Sequence, residues 1–422
     1  MNRKNILFAA LLLSFNLFIQ YSFAQCLGPG RYYEKIFTVK NTQNITYGNA
    51  VKFDGVPVDL KLNFYEPIED TLLEKRPLLI FAFGGSFTSG FRISPDIVRL
   101  CNEFAARGYV CAAIDYRLGF EDGNDSDTNQ FKALMRGVQD MKASVRYFYK
   151  DAQTTKTYRI DTNKIFIGGV SAGAFIALNY AYGKTDTLSF PAPDFALQAL
   201  DEVGGPEGNS GNPGYSTKVS GVIDLCGAIA DTVWIMPNDP PLCGVHGTMD
   251  DLVACQFDSA KASQTVESRL FGGCDIKKRL SGFNTRSTMY LFENAGHVPF
   301  ILPCVLNPPC SFYMDTTVWV IRDFLYNQMC FRGLDVQDEK IDFAVNVFPN
   351  PSEDIITFAV NHNRPLLLQI YGVDGRIILE KNIAANNAIT ISKSELKNGI
   401  FFYSISDKTN TERLKSGKVI FN

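Results

Sequence analysis

Residues 164–182 read Lys164-Ile-Phe-Ile-Gly-Gly-Val-Ser171-Ala-Gly-Ala-Phe-Ile-Ala-Leu-Asn-Tyr-Ala-Tyr182. The apolar run Ile165, Phe166, Ile167 stops at Gly168 and Gly169, and beyond Ser171 the chain is nearly uncharged and rich in alanine. This predicts a buried strand, a sharp turn, and a helix apolar on most of its surface. Gly169-Val170-Ser171-Ala172-Gly173 fits G-x-S-x-G, a turn that holds a serine in strained backbone between small neighbours. A Gly-rich strand-to-helix turn in any α/β protein reads the same way, because the motif is short. What decides between the two is whether the chain also supplies a base, an acid and an oxyanion-binding loop.

Working outward from Ser171, strands alternate with helices. Pro77–Phe83 and Tyr109–Asp115 are apolar enough for buried strands, with a helix predicted over Pro95–Arg107 between them. Phe131–Tyr149 has helical spacing, with Leu134, Val138, Met141, Val145 and Phe148 on one face. Further strands are expected at Val219–Leu225, Pro241–Val245 and Thr288–Phe292, and a last helix from about Asp315 to Tyr326. Lys35–Lys40, Ile45–Phe53 and Val56–Tyr65 alternate as antiparallel edge strands do. The fold class is therefore α/β, a mostly parallel sheet covered by helices on both faces, with its chemistry at the strand C-termini.

Three strand ends carry candidates. Phe83-Gly84-Gly85-Ser86 leaves a buried strand through two glycines, which bare backbone N–H groups; with the amide of Ala172 they form a candidate oxyanion hole of Gly85, Ser86 and Ala172. His246-Gly-Thr-Met-Asp250 follows a second strand, and Asp250 is placed to accept from a histidine Nδ1–H. Asp251 and Asp224 are rivals for that role. Glu293-Asn-Ala-Gly-His297 follows the last strand, and His297 is the candidate base. Of the other two histidines, His362 lies near the C-terminus, and His246 reads as a turn-stabilising residue.

The order Ser171, Asp250, His297, with Gly84-Gly85 and Tyr116-Arg117-Leu118, resembles the α/β-hydrolases, and within them the carboxylesterase and acetyl or feruloyl esterase-like branch. The resemblance covers about residues 32–330. It implies Ser171 as nucleophile, His297 as base, Asp250 as acid, and an acyl-enzyme route on a small-molecule or polymer ester. The family's oxyanion loop usually opens with His and continues with a third glycine. Here Phe83 and Ser86 stand in those places, so the loop must be braced differently. Two other classes stay open: a prolyl-peptidase-like serine peptidase, and a non-catalytic surface binding protein of hydrolase fold.

The chain has 422 residues, 46% hydrophobic and 20% charged, with a net charge of −3 and no long basic cluster beyond the N-terminus, which disfavours a nucleic-acid partner. Residues 1–24 read as a secretory signal: Arg3 and Lys4, an apolar stretch from Ile6 to Ile19, then Ser22-Phe-Ala24 before a cleavage point. No second apolar span follows, so no transmembrane segment is expected after cleavage. The ten cysteines all lie between 26 and 330, and an even count in an exported chain favours disulfides; Cys304 and Cys310 are the best candidate pair. No C-x-x-C pair occurs and the histidines are scattered, so neither a metal nor another cofactor is expected. Lys184–Thr217 and Val253–Arg286 are long insertions expected to shape the pocket, the first as a lid. The acidic run Glu121–Asp127 reads as a solvated turn.

Composition changes after Cys330. Short β runs at Ile355–Val360, Leu366–Tyr371, Arg376–Glu380, Ile389–Ser392, Gly399–Ser406 and Gly417–Phe421 predict a small Ig-like β-sandwich. Phe348-Pro-Asn-Pro351, Ile370-Tyr-Gly-Val-Asp-Gly-Arg376, Leu396-Lys-Asn-Gly-Ile-Phe-Phe-Tyr403 and Gly417-Lys-Val-Ile420 resemble the sorting domain of the type IX secretion system of Bacteroidota. That implies type IX machinery as a partner and a secreted or surface-held protein that passes through the periplasm. The expected domains are a signal peptide at 1–24, a catalytic domain at 25–330, a linker at 331–345 and a sorting domain at 346–422.

Overall fold

The computed structural model describes residues 26, 30–70, 73–121, 126–183, 194–263, 266–301, 310–330, 344–361, 365–372, 376–385, 387–407 and 413–422. The expected signal peptide, His362, most of the acidic run and the Cys304–Cys310 pairing fall outside these residues. The chain divides into two compact units, 1–333 and 334–422.

The larger unit is built on an eight-stranded sheet in the order β1-β2-β4-β3-β5-β6-β8-β11. Its strands are β1 (Val39–Val51), β2 (Pro57–Pro67), β3 (Arg76–Ala82), β4 (Val110–Ile114), β5 (Ile160–Val170), β6 (Gly221–Leu225), β8 (Leu242–Gly247) and β11 (Thr288–Phe292). The last six in the sheet order are mutually parallel, while β1 and β2 form an antiparallel edge. The reason lies in burial: every residue of β3, β4 and β6 is buried, as a strand covered on both faces requires, whereas β1 alternates with exposed positions. From β3 the chain steps outward to β4, then returns across β3 to β5. That reversal puts a topological switch point between β3 and β5, where doubly covered sheets open a crevice at their C-terminal edge.

Helices α1 (Pro95–Ala105), α2 (Asp127–Gln153), α3 (Ala172–Tyr182), α4 (Asp194–Glu202), α5 (Gly273–Ser281) and α6 (Cys310–Cys330) complete the unit. The long α2 starts at Ser126, whose side chain accepts from the Asn129 amide, an N-cap that satisfies one orphan donor. Between Asp250 and His297 the sequence suggested a long insertion shaping the pocket, with no secondary structure assigned to it before Thr288. The structure has there a hairpin of β9 (Asp258–Ser263) and β10 (Val266–Gly272), paired with β7 (Ala228–Ile229), followed by α5.

The segment expected as a lid is fastened down over its described part. Arg117, buried after β4, pairs with Asp140 of α2 and donates to Ser210, whose hydroxyl donates to Asp140 at 2.6 Å. Gln139 donates to the carbonyls of Val203 and Gly205, Glu207 pairs with Lys142 and Arg146, and the Asn49 amide donates to Ser210. Residues 203–212 thus form a strap tied to α2 and β1.

Two disulfides form among the described residues, Cys26–Cys330 and Cys255–Cys274. Cys101, Cys111, Cys226 and Cys243 are instead buried free thiols, acting as small apolar residues inside the core. Among its described residues the smaller unit has seven strands in two antiparallel sheets: β12 (Ala344–Phe348), β13 (Ile355–Asn361) and β16 (Ala388–Ser392), and β14 (Leu366–Tyr371), β15 (Ile377–Ile383), β17 (Gly399–Asp407) and β18 (Arg413–Phe421). A core including Ile356, Phe358, Leu368, Ile370, Ile405 and Val419 fills it, and the one-turn helix α7 (Lys393–Leu396) carries a capping box at Ser392 and Glu395. No helix among the described residues is long and apolar enough to cross a membrane.

Candidate active site

The turn after β5 is as tight as its motif predicts. Ser171 has φ 50°, ψ −118°, a conformation that side-chain-bearing residues adopt only when their surroundings force it. The surroundings are two glycines. A Cβ on Gly169 would lie 2.3 Å from the Gly173 carbonyl carbon, and one on Gly173 would lie 2.2 Å from Ala82 O. Only bare Cα atoms let α3 start directly against β3 and β5, and this packing lifts Ser171 out of the sheet edge.

The loop after β3 faces the serine. A Cβ on Gly84 would lie 3.2 Å from Ser171 Cβ, so the switch-point crevice is closed to backbone contact here. Gly85, Ser86 and Phe87 have φ of 132°, 52° and 61° in succession. The turn's own hydrogen bonds come from the Thr88 and Ser89 amides to Gly85 O, which leaves the Gly85 and Ser86 amides outside that ladder. Phe83 takes the brace that a histidine would supply. It is buried, stacks on Tyr116 at 4.4 Å, and its carbonyl accepts from the Tyr116 hydroxyl at 3.0 Å. Tyr116 thus has a role that the sequence pattern did not assign it.

The loops after β8 and β11 are zipped together. The Thr248 amide donates to Phe292 O, the Met249 amide to Ala295 O, and the Asn294 amide to Thr248 Oγ1. A Cβ on Gly247 would lie 2.2 Å from Ala295 O, so the His-Gly-Thr-x-Asp motif needs its glycine for this approach. Asp250 Oδ1 accepts from the Leu252 and Val253 amides, which turns Oδ2 toward His297. Val298, with φ 50°, is β-branched in left-handed backbone, so the segment carrying the histidine is itself strained.

These elements bring three side chains into line. His297 Nε2 lies 2.9 Å from Ser171 Oγ, and His297 Nδ1 lies 2.8 Å from Asp250 Oδ2. Burial would raise the Asp250 pKa, but hydrogen bonds from His246 and His297 hold it well below the usual carboxylate range. Asp250 is therefore an anion against the imidazole, which fixes Nδ1 as the protonated nitrogen and leaves the Nε2 lone pair facing the serine hydroxyl. Of its two rivals, Asp251 is exposed, and Asp224 is fully buried, with Oδ1 accepting from the Gly227 amide and Oδ2 against Gly273 at the start of α5. His246 closes the acid loop, as a turn-stabilising residue would, through Nε2–H to Val253 O at 2.6 Å.

Residues 62–230 match the BD-FAE family, and residues 346–420 match the secretion system C-terminal sorting domain. By these matches the chain carries an esterase-type hydrolase segment and a secretion-sorting tail. The BD-FAE segment runs from β2 to just past β7, so it holds Gly84, Gly85 and Ser171, while Asp250 and His297 lie beyond it, after β8 and β11. Similar solved structures include the thermophilic esterase Est2 of the Planctomycetes species Thermogutta terrifontis with propionate bound, at 21% identity and a TM-score of 0.46, covering 72% of this chain and 96% of that one. Another is Thermogutta terrifontis esterase 2 phosphorylated by paraoxon, at 21% identity and a TM-score of 0.46, covering 72% and 95%.

Among the described residues one group has the donor set of a metal site. Cys226, His246 and Asp250 offer ligand atoms within 4.8 Å of one another, all buried. Both Asp250 oxygens and His246 Nε2 already have partners, and burial pushes the Cys226 thiol far up, away from the thiolate a metal needs. An ion there would displace the contacts that hold Asp250, so these residues do not form a ready metal site.

Proposed function

We propose that the protein is a secreted serine carboxylic-ester hydrolase working through an acyl-enzyme, with Ser171, Asp250 and His297 as its catalytic residues and the Gly85, Ser86 and Ala172 amides as its oxyanion hole. The observation that carries this reading is the unbroken line from Ser171 Oγ through His297 to Asp250 Oδ2, at 2.9 and 2.8 Å. In the first half-reaction Ser171 Oγ attacks the ester carbonyl as His297 Nε2 takes its proton, and the oxyanion is met by backbone amides. Collapse of the tetrahedral intermediate breaks the bond to the alcohol, which leaves with the proton from Nε2. Water then attacks the acyl-serine, giving its proton to His297, and a second collapse frees the carboxylic acid and restores Ser171.

The test is turnover of p-nitrophenyl acetate by the purified chain beside Ser171→Ala and His297→Ala. Each substitution should lower kcat by at least about a thousandfold, since the members of such a triad act as a unit. Variants that keep near-normal ester turnover would refute the roles, and hydrolysis of aminoacyl-nitroanilides without that of esters would move the reading to a peptidase. For the substrate we infer acetyl or feruloyl esters of polysaccharides, a reading that draws on the BD-FAE match and the export tail. Acetylated xylan and methyl ferulate, assayed against short-chain esters, separate these acyl groups.

The sorting tail implies secretion or attachment at the cell surface. We propose export through the periplasm on a signal at residues 1–24, with the tail at 346–422 engaging type IX machinery and being removed afterwards. Expression of the full chain and of one ending at residue 345 in a host with that machinery tests this, since only the full chain should reach the medium or outer surface.

A further inference from the structure

Two histidines contact Asp250, and the proposed reaction uses one of them. His246, fully buried at the end of β8, directs Nε2 at the Val253 carbonyl at 2.6 Å and stands 3.2 Å from Asp250 Oδ2, the oxygen that accepts from His297. Both neighbours of Nε2 are acceptors, so this nitrogen carries a proton in either charge state of the ring. Nδ1 is buried with no partner among the described residues, so nothing on that side competes for the ring's orientation. Among the described residues the titratable groups near the ring are Asp224 of β6, Cys226 just after it, and Asp250. Burial works against a charged His246, but the hydrogen bond to Asp250 and the field of Asp224 outweigh it and raise the ring's pKa.

We propose that His246 is a positioning residue for Asp250: its Nε2–H, shared between the Val253 carbonyl and Oδ2, orients the carboxylate and draws off part of its charge. The residue touches no reacting atom. It acts through Asp250 on His297, by setting how strongly the imidazolium formed in each half-reaction is held. This inference rests on the acyl-transfer reading above, in which His297 takes and returns the serine proton. Sequence alone showed a histidine four residues before an acid and gave no reason to turn it inward. What turns it inward is its place on β8, where it lies opposite Leu291 of β11 and within a fully buried strand.

The test uses the full chain with two substitutions. His246→Phe keeps a ring and removes the donor; His246→Gln sets an N–H the same number of bonds from the backbone. Rates are taken per reactive serine, counted with a fluorophosphonate titrant, so misfolded protein does not enter. For His246→Phe we expect kcat to fall about tenfold at nearly constant KM, because a carboxylate no longer fixed by this donor loses its alignment on His297 Nδ1. The acid limb of its kcat/KM profile should move to higher pH, because a less compensated Asp250 holds the His297 proton more tightly. His246→Gln should recover both. A His246→Phe enzyme that loses thermal stability but keeps the wild-type kcat and acid limb would overturn the proposal. A second arm needs no turnover: histidine-selective 1H–15N NMR of the wild-type chain should show a protonated His246 Nε2 with a downfield N–H proton that shifts on Asp250→Asn. A bare Nε2, or a signal indifferent to that substitution, would also overturn it. Absence of Ser171-dependent hydrolysis by the wild-type chain would instead count against the esterase reading, and is thereby told apart.

Discussion

Alanine at Gly173 would push a methyl group to 2.2 Å from the Ala82 carbonyl oxygen, a distance no van der Waals contact allows. We expect Gly173→Ala to cost about 2–4 kcal/mol of stability and most of the ester turnover, read from urea midpoints and p-nitrophenyl acetate rates, because α3 can begin only by moving away from β3. Asp224 makes a prediction of a different kind. Burial lifts its carboxyl from 3.8 to about 7, with His246 and the Gly227 amide offsetting only part of the effect. Between those values the folded chain binds a proton that the unfolded chain has lost. The stability this confers is complete below about pH 4 and disappears as pH rises through about 7. Asp224→Asn removes the dependence. Its melting temperature should match wild type near pH 4 and exceed it near pH 8 in calorimetry, the gap opening as wild-type Asp224 is forced to ionise; a constant offset across that range would show the carboxyl titrating normally.

Elements were legible where hydrophobic rhythm and turn chemistry agreed. The strand at Thr288–Phe292 lies where its apolar run predicts, and the elbow, the Gly84-Gly85 loop and the two loops carrying Asp250 and His297 all leave the C-terminal ends of parallel strands. The region between acid and base was not legible, because β9, β10 and α5 are short and depend on pairing with β7 and on the Cys255–Cys274 bond, contacts with no local signature. The strap at 203–212 was misread for a related reason: its glycines suggest freedom, but Arg117, Asp140 and Ser210 bind it through a buried ion pair that no window of sequence contains. Ser210→Ala should therefore lower stability by about 1–3 kcal/mol, the usual cost of leaving a buried charged group short of a partner, with little change in KM. At the site, Gly247 was quoted in a motif without its purpose. A Gly247→Val side chain would strike Ala295 O and part the zipped loops, so kcat should fall by about a hundredfold or more while the fold survives, as circular dichroism would confirm.

For the whole molecule, the sequence shows an end to cysteines and a change of composition after Cys330, and contacts divide the chain into units 1–333 and 334–422. Which cysteines join was not visible, since Cys26 and Cys330 are 304 residues apart and only the closed fold brings them together. Replacing either by serine should cost stability near the upper end of the roughly 2–5 kcal/mol typical of a lost native disulfide, because the loop released is so long. This bond also has a topological effect. From residue 26 to residue 330 the polypeptide becomes a covalent ring, with the tail attached outside it. One protease cut inside the ring converts it to a linear strand without freeing a piece, so a nicked hydrolase would run as one band on a non-reducing gel and as two after thiol treatment. Cutting beyond residue 330 releases the tail under both conditions, so the ringed body would tolerate a single nick while its sorting tail is lost cleanly.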